Sequence, residues 1–399
     1  MLSVAKLIHP SVQCKQRLCG ARMELTQQPI QARIILNPVV PSCEYALAET
    51  NIVRISEDGA KKAAEYISRR MLAESYTPRT WRTQPLHICP PEPYSASDPL
   101  TKKCLDWIFL VSSLNFSFWS DKEGSGGRYG VEWRTGWDTE TRAVHTGYRG
   151  LLAALNRALE ENIPITDPAF YASEVLCPDA LIEYAFRAAP ESQEQLPLLK
   201  ERIAIMRQVG SDLCNNFGGS YTGFLDVFQK SRHGRGTALE LVQAVTDTFP
   251  FFFWKRAQIL VAETWAAFFP ADPSAPHPLF PHGTSSLTMF ADYRVPQILH
   301  HLGILVYPPS LEEKLRNGED IPLGSDEEIS LRAASIVSVE RIRDEILRLR
   351  RSSCEEVNSV LIDFYLWDLA KRIESGKERV EEMDSVDILP AHRTRSIWY

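Results

Sequence analysis

The segment that most restricts the fold is Asn358-Ser359-Val360-Leu361-Ile362-Asp363-Phe364-Tyr365-Leu366-Trp367-Asp368-Leu369. It reads as a helix apolar on nearly every side, and such a helix has to be surrounded by other elements rather than laid on a surface. Two carboxylates interrupt it. A buried carboxylate left charged and unpaired is costly or takes up a proton, so Asp363 and Asp368 each need a donor. They stand about 140° apart round an ideal helix, so both reach one ligand only from its side or if the helix bends. Either they pair internally with arginines such as Arg332, Arg341 or Arg343, or they accept from a ligand rich in N–H groups, such as an aminated base or a cationic amine.

The surroundings this helix requires are themselves helical. Ala60, Ala63, Ala64, Ile67, Met71 and Leu72 recur with helical spacing after Asp58. Further helices are predicted over Tyr148–Glu161, Leu196–Phe217, Thr237–Thr248, Trp254–Phe268, from near Asp292, over Asp326–Arg350 and over Cys354–Arg372. Ser325 and Glu328 have the spacing of a capping box, in which hydroxyl and carboxylate satisfy reciprocal end-of-helix amides. Tyr129, Val131 and Trp133 alternate with smaller or polar residues and are followed by an extended stretch at Arg142–His145, which predicts a small hairpin. Pro270, Pro273, Pro276, Pro278 and Pro281 exclude helix interior and central strand alike, so residues 269–287 are expected to form a surface loop. The expected organisation is an irregular extension over 1–45 and a single domain over 46–399, mainly α with a small β-hairpin insertion.

Several functions are disfavoured at once. With 44 Lys and Arg against 51 Asp and Glu, the formal charge of −7 opposes tight attraction to a phosphate backbone, so direct nucleic-acid binding is not expected. There is no GxxxxGK[ST] loop, GxGxxG turn, HExxH helix or GxSxG elbow. The eight cysteines form no CxxC pair, and His277 and His282 lie in the Pro-rich loop without a third ligand at helical spacing, so no metal and no cofactor is expected. No apolar run has the roughly 18 to 20 residues a membrane span needs. Residues 1–23 carry Lys6, Lys15, Arg17 and Arg22 with no acidic residue, a bias shared by mitochondrial targeting peptides and by untethered basic termini. The latter reading, with a cytoplasmic location, is the one adopted.

Chemistry concentrates in Thr288-Met289-Phe290-Ala291-Asp292-Tyr293-Arg294-Val295-Pro296-Gln297. Proline is tolerated only in the first helical turn, so Pro296 places Asp292 at or near a helix N-cap. Free amides and the helix dipole there favour an ionised carboxylate, the form that attacks or stabilises the oxocarbenium-like carbon left when a sugar loses its base. Asp292 is equally explained as a cap alone, and Phe290 as a core residue or a stacking face for a planar base. At Phe253-Trp254-Lys255-Arg256, Lys255 could meet a phosphate as a point charge while Arg256 ties the structure together, or both could be solvated.

Leu114–Asp121 (LNFSFWSD), Trp254–Ile259 (WKRAQI), Thr288–Gln297, Asn358–Asp368 and His392–Tyr399 (HRTRSIWY) together resemble the queuosine salvage protein family, in order and in rough spacing. The resemblance covers roughly residues 50–399. It implies a mostly helical fold related to the DNA glycosylase superfamily and an N-glycosyl hydrolase that releases queuine from a small nucleotide, queuosine 5'-phosphate. On this resemblance Asp292 is the catalytic carboxylate, Phe290, Asp363, Phe364 and Asp368 recognise the base, Lys255 contacts the 5'-phosphate, and His87 lies near the base pocket. Three departures stand out: the extension over 1–45, Phe364 where a tyrosine is expected in some members, and the Pro-rich loop, which is expected to reshape the pocket rim. The competing readings are a DNA base-excision glycosylase, which the negative charge and the lack of a glycine-rich hairpin oppose, and a helical nucleoside-binding or adaptor protein, in which Asp363 and Asp368 are internal salt-bridge partners.

Overall fold

The computed structural model describes residues 37–350, 357–380 and 386–399, so the basic segment 1–23 lies outside the described residues. In chain order, α1 (Val39–Thr50) leads through β1 (Arg54–Ile55) to α2 (Glu57–Ala73) and α3 (Pro99–Ser113). The hairpin strands β2 (Gly130–Arg134) and β3 (Arg142–Thr146) precede α4 (Gly147–Glu160) and the short α5 (Pro168–Tyr171) and α6 (Asp179–Ala185). Then come α7 (Leu199–Asn216), α8 (Tyr221–Ser231), α9 (Ala238–Thr248), α10 (Trp254–Ala267) and α11 (Arg294–His301). Strand β4 (Leu305–Val306), α12 (Pro309–Asn317), α13 (Asp326–Leu349) and α14 (Ser359–Glu374) complete the order. The fold is mainly α, with β2 and β3 antiparallel in the register Val131 to His145 and a two-residue pairing of β1 with β4. Among the described residues no helix is long and apolar enough to cross a membrane.

Most helix starts are written locally. Ser56 accepts from the amide of Gly59 to open α2, and Thr237 and Glu240 form a reciprocal capping box on α9. At α13 the box is only half made: Ser325 accepts from the Glu328 amide, but the Glu328 carboxylate turns to the Gly324 amide and to Arg332. Helix α1 occupies residues expected to be irregular. Its Val39-Val40-Pro41 start reads as extended, yet Pro41 falls in the first turn, where its missing amide costs nothing, and the buried Cys43 and Ala46 let α1 lie closely on α13. The Pro-rich stretch is loop, as expected, but not wholly on the surface. Phe280 and Thr284 are buried, and Asn358 donates to the Thr284 hydroxyl at 3.2 Å.

Two apolar cores result. One gathers α3, α4, the hairpin and α7 to α10; the other gathers α1, α2, α11, α13 and most of α14. The extended segment before α11 threads between them, with Phe290 in the first core and Met289 and Ala291 in the second. This is the period-two alternation of an extended chain with both faces buried.

Two guanidinium groups sit inside the first core. Arg256 donates to the carbonyls of Ser113 and Phe251, and Arg202 to those of Leu114, Phe116 and Pro197. Both lie over the Phe116 ring, 5.0 and 4.1 Å from its centroid. Among the described residues neither forms an ion pair, and burial pushes each guanidinium down to about 9. They satisfy the open carbonyls at the end of α3 and pin residues 114–120 against α10. Arg256→Met keeps the volume but orphans the Ser113 and Phe251 carbonyls. It is expected to cost about 3 kcal/mol in urea unfolding, and a loss below about 1 kcal/mol would show that water replaces the guanidinium.

Candidate active site

Where the two cores meet, a cavity of about 240 Å³ opens. Its lining includes all seven side chains singled out from the sequence: His87, Lys255, Phe290, Asp292, Asp363, Phe364 and Asp368.

Asp292 is half-buried and stands two residues before α11. Its Oδ1 accepts from the amides of Arg294 at 2.8 Å and Val295 at 2.9 Å, and Pro296 follows within the first turn. One oxygen therefore closes the helix end, while Oδ2 takes no hydrogen bond from the described residues. Capping and a free carboxylate oxygen are compatible in one side chain because the two oxygens divide the tasks.

Asp363, on α14, accepts from the Phe290 amide at 3.1 Å and is buried. That bond ties the cavity face of α14 to the segment carrying Asp292. Burial, then the charge of Asp292, hold the Asp363 carboxyl well above the usual carboxylate range; the Phe290 amide and Lys255 oppose the rise. Asp368 accepts from the Tyr76 hydroxyl at 2.7 Å, and burial raises its carboxyl too. The arginines that could have paired with them are engaged elsewhere: Arg332 with Glu328, Arg341 with Glu57, and Arg343 with Glu340 and Asp344. Along α14 the lining residues are Asp363, Phe364, Trp367, Asp368, Lys371 and Glu374. The two aspartates thus flank one broad helix face of the uninterrupted α14, and the cavity spans it.

Lys255 is partly buried on α10 and has no hydrogen bond or ion pair with any described residue. Burial brings its ammonium down to about 8, with Asp292 and Asp363 pulling it back up and Arg332 and Arg256 pushing it down. Other cations of the cavity wall have partners: Arg294 and Lys371 share Glu374, Arg128 pairs with Glu123, and Arg393 donates to the Gly318 carbonyl. Phe290 and Phe364 face each other with ring centroids 6.2 Å apart, and Tyr148 meets Trp367 edge-on at 5.9 Å. His87 packs on Trp81 at 4.1 Å between ring centroids, and its Nδ1 meets the Trp81 carbonyl at 2.8 Å. Burial lowers the imidazole to about 3. It is therefore neutral, Nδ1 carries the proton, and Nε2 is left as an acceptor.

Among the wall residues that escaped the sequence reading are Glu263, Tyr76 and Trp81. Glu263 is buried, accepts from the Tyr148 hydroxyl at 3.0 Å, and is pushed up to about 7 by burial. It follows Lys255 and Ile259 at intervals of four, so one face of α10 supplies all three to the cavity, a spacing that could have flagged it. Tyr76 and Trp81 lie outside any periodic pattern. The Pro-rich loop, by contrast, does not shape the rim, since none of residues 269–287 lines the cavity. The C-terminal segment does: Pro390, Ala391 and Arg393 contribute, and Trp119 donates to the Thr394 carbonyl at 3.0 Å.

Comparison with known proteins bears on this arrangement. Residues 94–399 match the family described as queuosine salvage protein. The chain is 39% identical over 386 residues to the queuosine 5'-phosphate N-glycosylase/hydrolase of Schizosaccharomyces pombe, covering 91% of this chain and 100% of that relative. Proteins of the same name from Mus musculus and Sphaerobacter thermophilus are 37% and 34% identical, each alignment covering 90% of this chain and 97% of the relative.

The divided role of Asp292 makes a stability prediction. Asp292→Ala is expected to cost about 1 kcal/mol through loss of the helix end, whereas Asp292→Asn, an equally good cap, should stay within about 0.5 kcal/mol of the parent. Chemical denaturation of both variants distinguishes cap geometry from charge, because equal losses would mean that charge holds the helix start.

Proposed function

The chain belongs to the queuosine salvage protein family, and from that membership we propose that it hydrolyses the N-glycosidic bond of queuosine 5'-phosphate at the cavity between the two cores, releasing queuine. The observation that carries this reading is Asp292, with one oxygen fixed by helix amides and the other unclaimed, in the same cavity as a lysine without a partner and a second buried carboxyl.

In this reading Asp292 Oδ2 meets the positive charge that develops at ribose C1' as the bond to the base breaks. A water oxygen forms the new bond to C1', and the base departs with the proton needed to neutralise it. Asp363, held to the Phe290 amide, keeps the Asp292 segment and α14 in fixed relation and, with Asp368, faces the N–H groups of the base. Phe290 and Phe364 supply apolar ring faces, a role that needs no hydroxyl at position 364. His87 Nε2 accepts from the base. Lys255 takes the 5'-phosphate, because it is a wall cation whose charge no ion pair has spent. The substrate is read as the free nucleotide rather than a residue within RNA, in keeping with the net charge of −7. The adaptor reading loses its main support, since neither Asp363 nor Asp368 is paired with the arginines it requires.

Asp292→Asn should keep its fold and lose on the order of 10³-fold or more in kcat, measured as queuine released from queuosine 5'-phosphate; near-parental turnover would exclude the carboxylate. The dephosphorylated nucleoside should react with lower kcat/KM, and Lys255→Met should abolish that difference. Lys255 carries its proton below about pH 8, so kcat/KM for the phosphorylated substrate should fall as pH rises through that value in the parent and not in Lys255→Met.

A further inference from the structure

Three buried polar atoms on residues of the cavity wall have no hydrogen-bond partner among the described residues: Trp81 Nε1, His87 Nε2 and Glu263 Oε2. Their residues all line the cavity. Trp81 and Glu263 are each more than nine-tenths buried, at 8% and 6% exposure. An orphaned buried donor or acceptor carries the full cost of its lost hydration, so three on one wall are expected to be matched from the cavity side.

Their chemistry is specific. The indole N–H only donates, the free Glu263 oxygen accepts once the carboxyl is ionised, and Nε2 accepts because Nδ1 holds the proton against the Trp81 carbonyl. Glu263 is held in place through its other oxygen by the Tyr148 hydroxyl, whose ring abuts Trp367 on α14. Trp81 is held by its packing on His87 and against Trp107, 6.4 Å between centroids. One donor and two acceptors on the same cavity lining, with Trp81 and His87 packed together, match an edge bearing a carbonyl next to ring N–H and amino groups. Guanine-type bases, queuine among them, carry such an edge.

This wall also lies away from the reacting end. Glu263 follows Lys255 by two helical turns, roughly 12 Å along α10, and Lys255 is the member of that face which feels the Asp292 charge. A nucleotide with C1' at Asp292 would send the far edge of its base toward Glu263. We propose that Trp81 and Glu263, with His87, read the lactam edge of the base: the indole N–H donates to the ring carbonyl, and the Glu263 carboxylate accepts from the ring N–H and amino groups. The proposal rests on the hydrolase reading for the identity of the base and adds two specificity-determining residues to it.

The test uses the full chain with Glu263→Gln and Trp81→Phe, titrated with free queuine by calorimetry. Each protein is also assayed on queuosine 5'-phosphate and on an analogue whose ring amino group is replaced by hydrogen. Both variants should bind queuine roughly 10- to 100-fold more weakly at unchanged melting temperature. Wild type should prefer the amino-bearing substrate, and Glu263→Gln should largely lose that preference. Parental affinity for queuine in both variants, or losses in Glu263→Gln that are equal on the two substrates, would overturn the assignment; so would a drop in stability with affinity and preference unchanged, the result if Trp81 and Glu263 only pack the wall. Should Glu263→Gln fail to fold, indifference of the wild type to the amino group overturns the proposal and a marked preference supports it. If wild type binds queuine with the predicted dependence on Trp81 and Glu263 but cleaves neither nucleotide, the edge assignment stands and the hydrolase reading falls.

Discussion

Helix α10 carries polar side chains whose hydrogen-bonding requirements can be met only by distant parts of the chain. Arg256 is buried against the carbonyl end of α3, Gln258 exchanges hydrogen bonds with the backbone and hydroxyl of Thr288, and Glu263 receives the Tyr148 hydroxyl of α4. Each is buried, so leaving such a group without a partner is costly, and the bonds they do make bring together residues 113–116, 288–292 and α4. Lys255 and Ile259 then face the space that remains, and the cavity is what is left between three obligations of one helix.

The charges of that space are arranged by position rather than by pairing. Asp292 spends one oxygen on the start of α11 and keeps the other. Asp363 is deeper, spends an oxygen on the Phe290 amide, and is driven upward by burial and by its carboxylate neighbour. Lys255 lies under the influence of both without bonding to either. Two carboxyls in contrasting surroundings and a lysine without an ion pair therefore share one cavity wall, each held by the fold before any ligand arrives.

The segments that carry the family resemblance are far apart in sequence and adjacent in space. Residues 114–120 pair with the C-terminal segment through Trp119 to Thr394, Ser117 to the Tyr399 carbonyl and Arg395 to Ser117 and Trp119. Ser117 has φ of 49°, uncommon for a residue with a side chain, and its amide bond to Tyr399 is part of what holds it there. Arg332 of α13 lies 4.1 Å from the Tyr399 ring and donates to the Ala291 carbonyl next to Asp292. The rear wall of the cavity is thus buttressed from the end of the chain.

Much of this was legible from residue order alone. The helix after Asp58, the helix from Thr237, the apolar character of α14, and the position of Asp292 just before a helix whose first turn holds Pro296 follow from capping and periodicity, which depend on neighbours within a few residues. The same local rules left α1 unread, because Val39-Val40-Pro41 is helical only when α13 is present to receive it. They could say that Asp363 and Asp368 needed donors but not which, since an amide 73 residues away and a tyrosine 292 residues away answer only after folding. Trp81 was invisible for the same reason, and for Glu263 the four-residue spacing gives a helix face but not what that face meets. Their significance lies in what fails to reach them, and an unmet hydrogen bond exists only once every neighbour has taken its place.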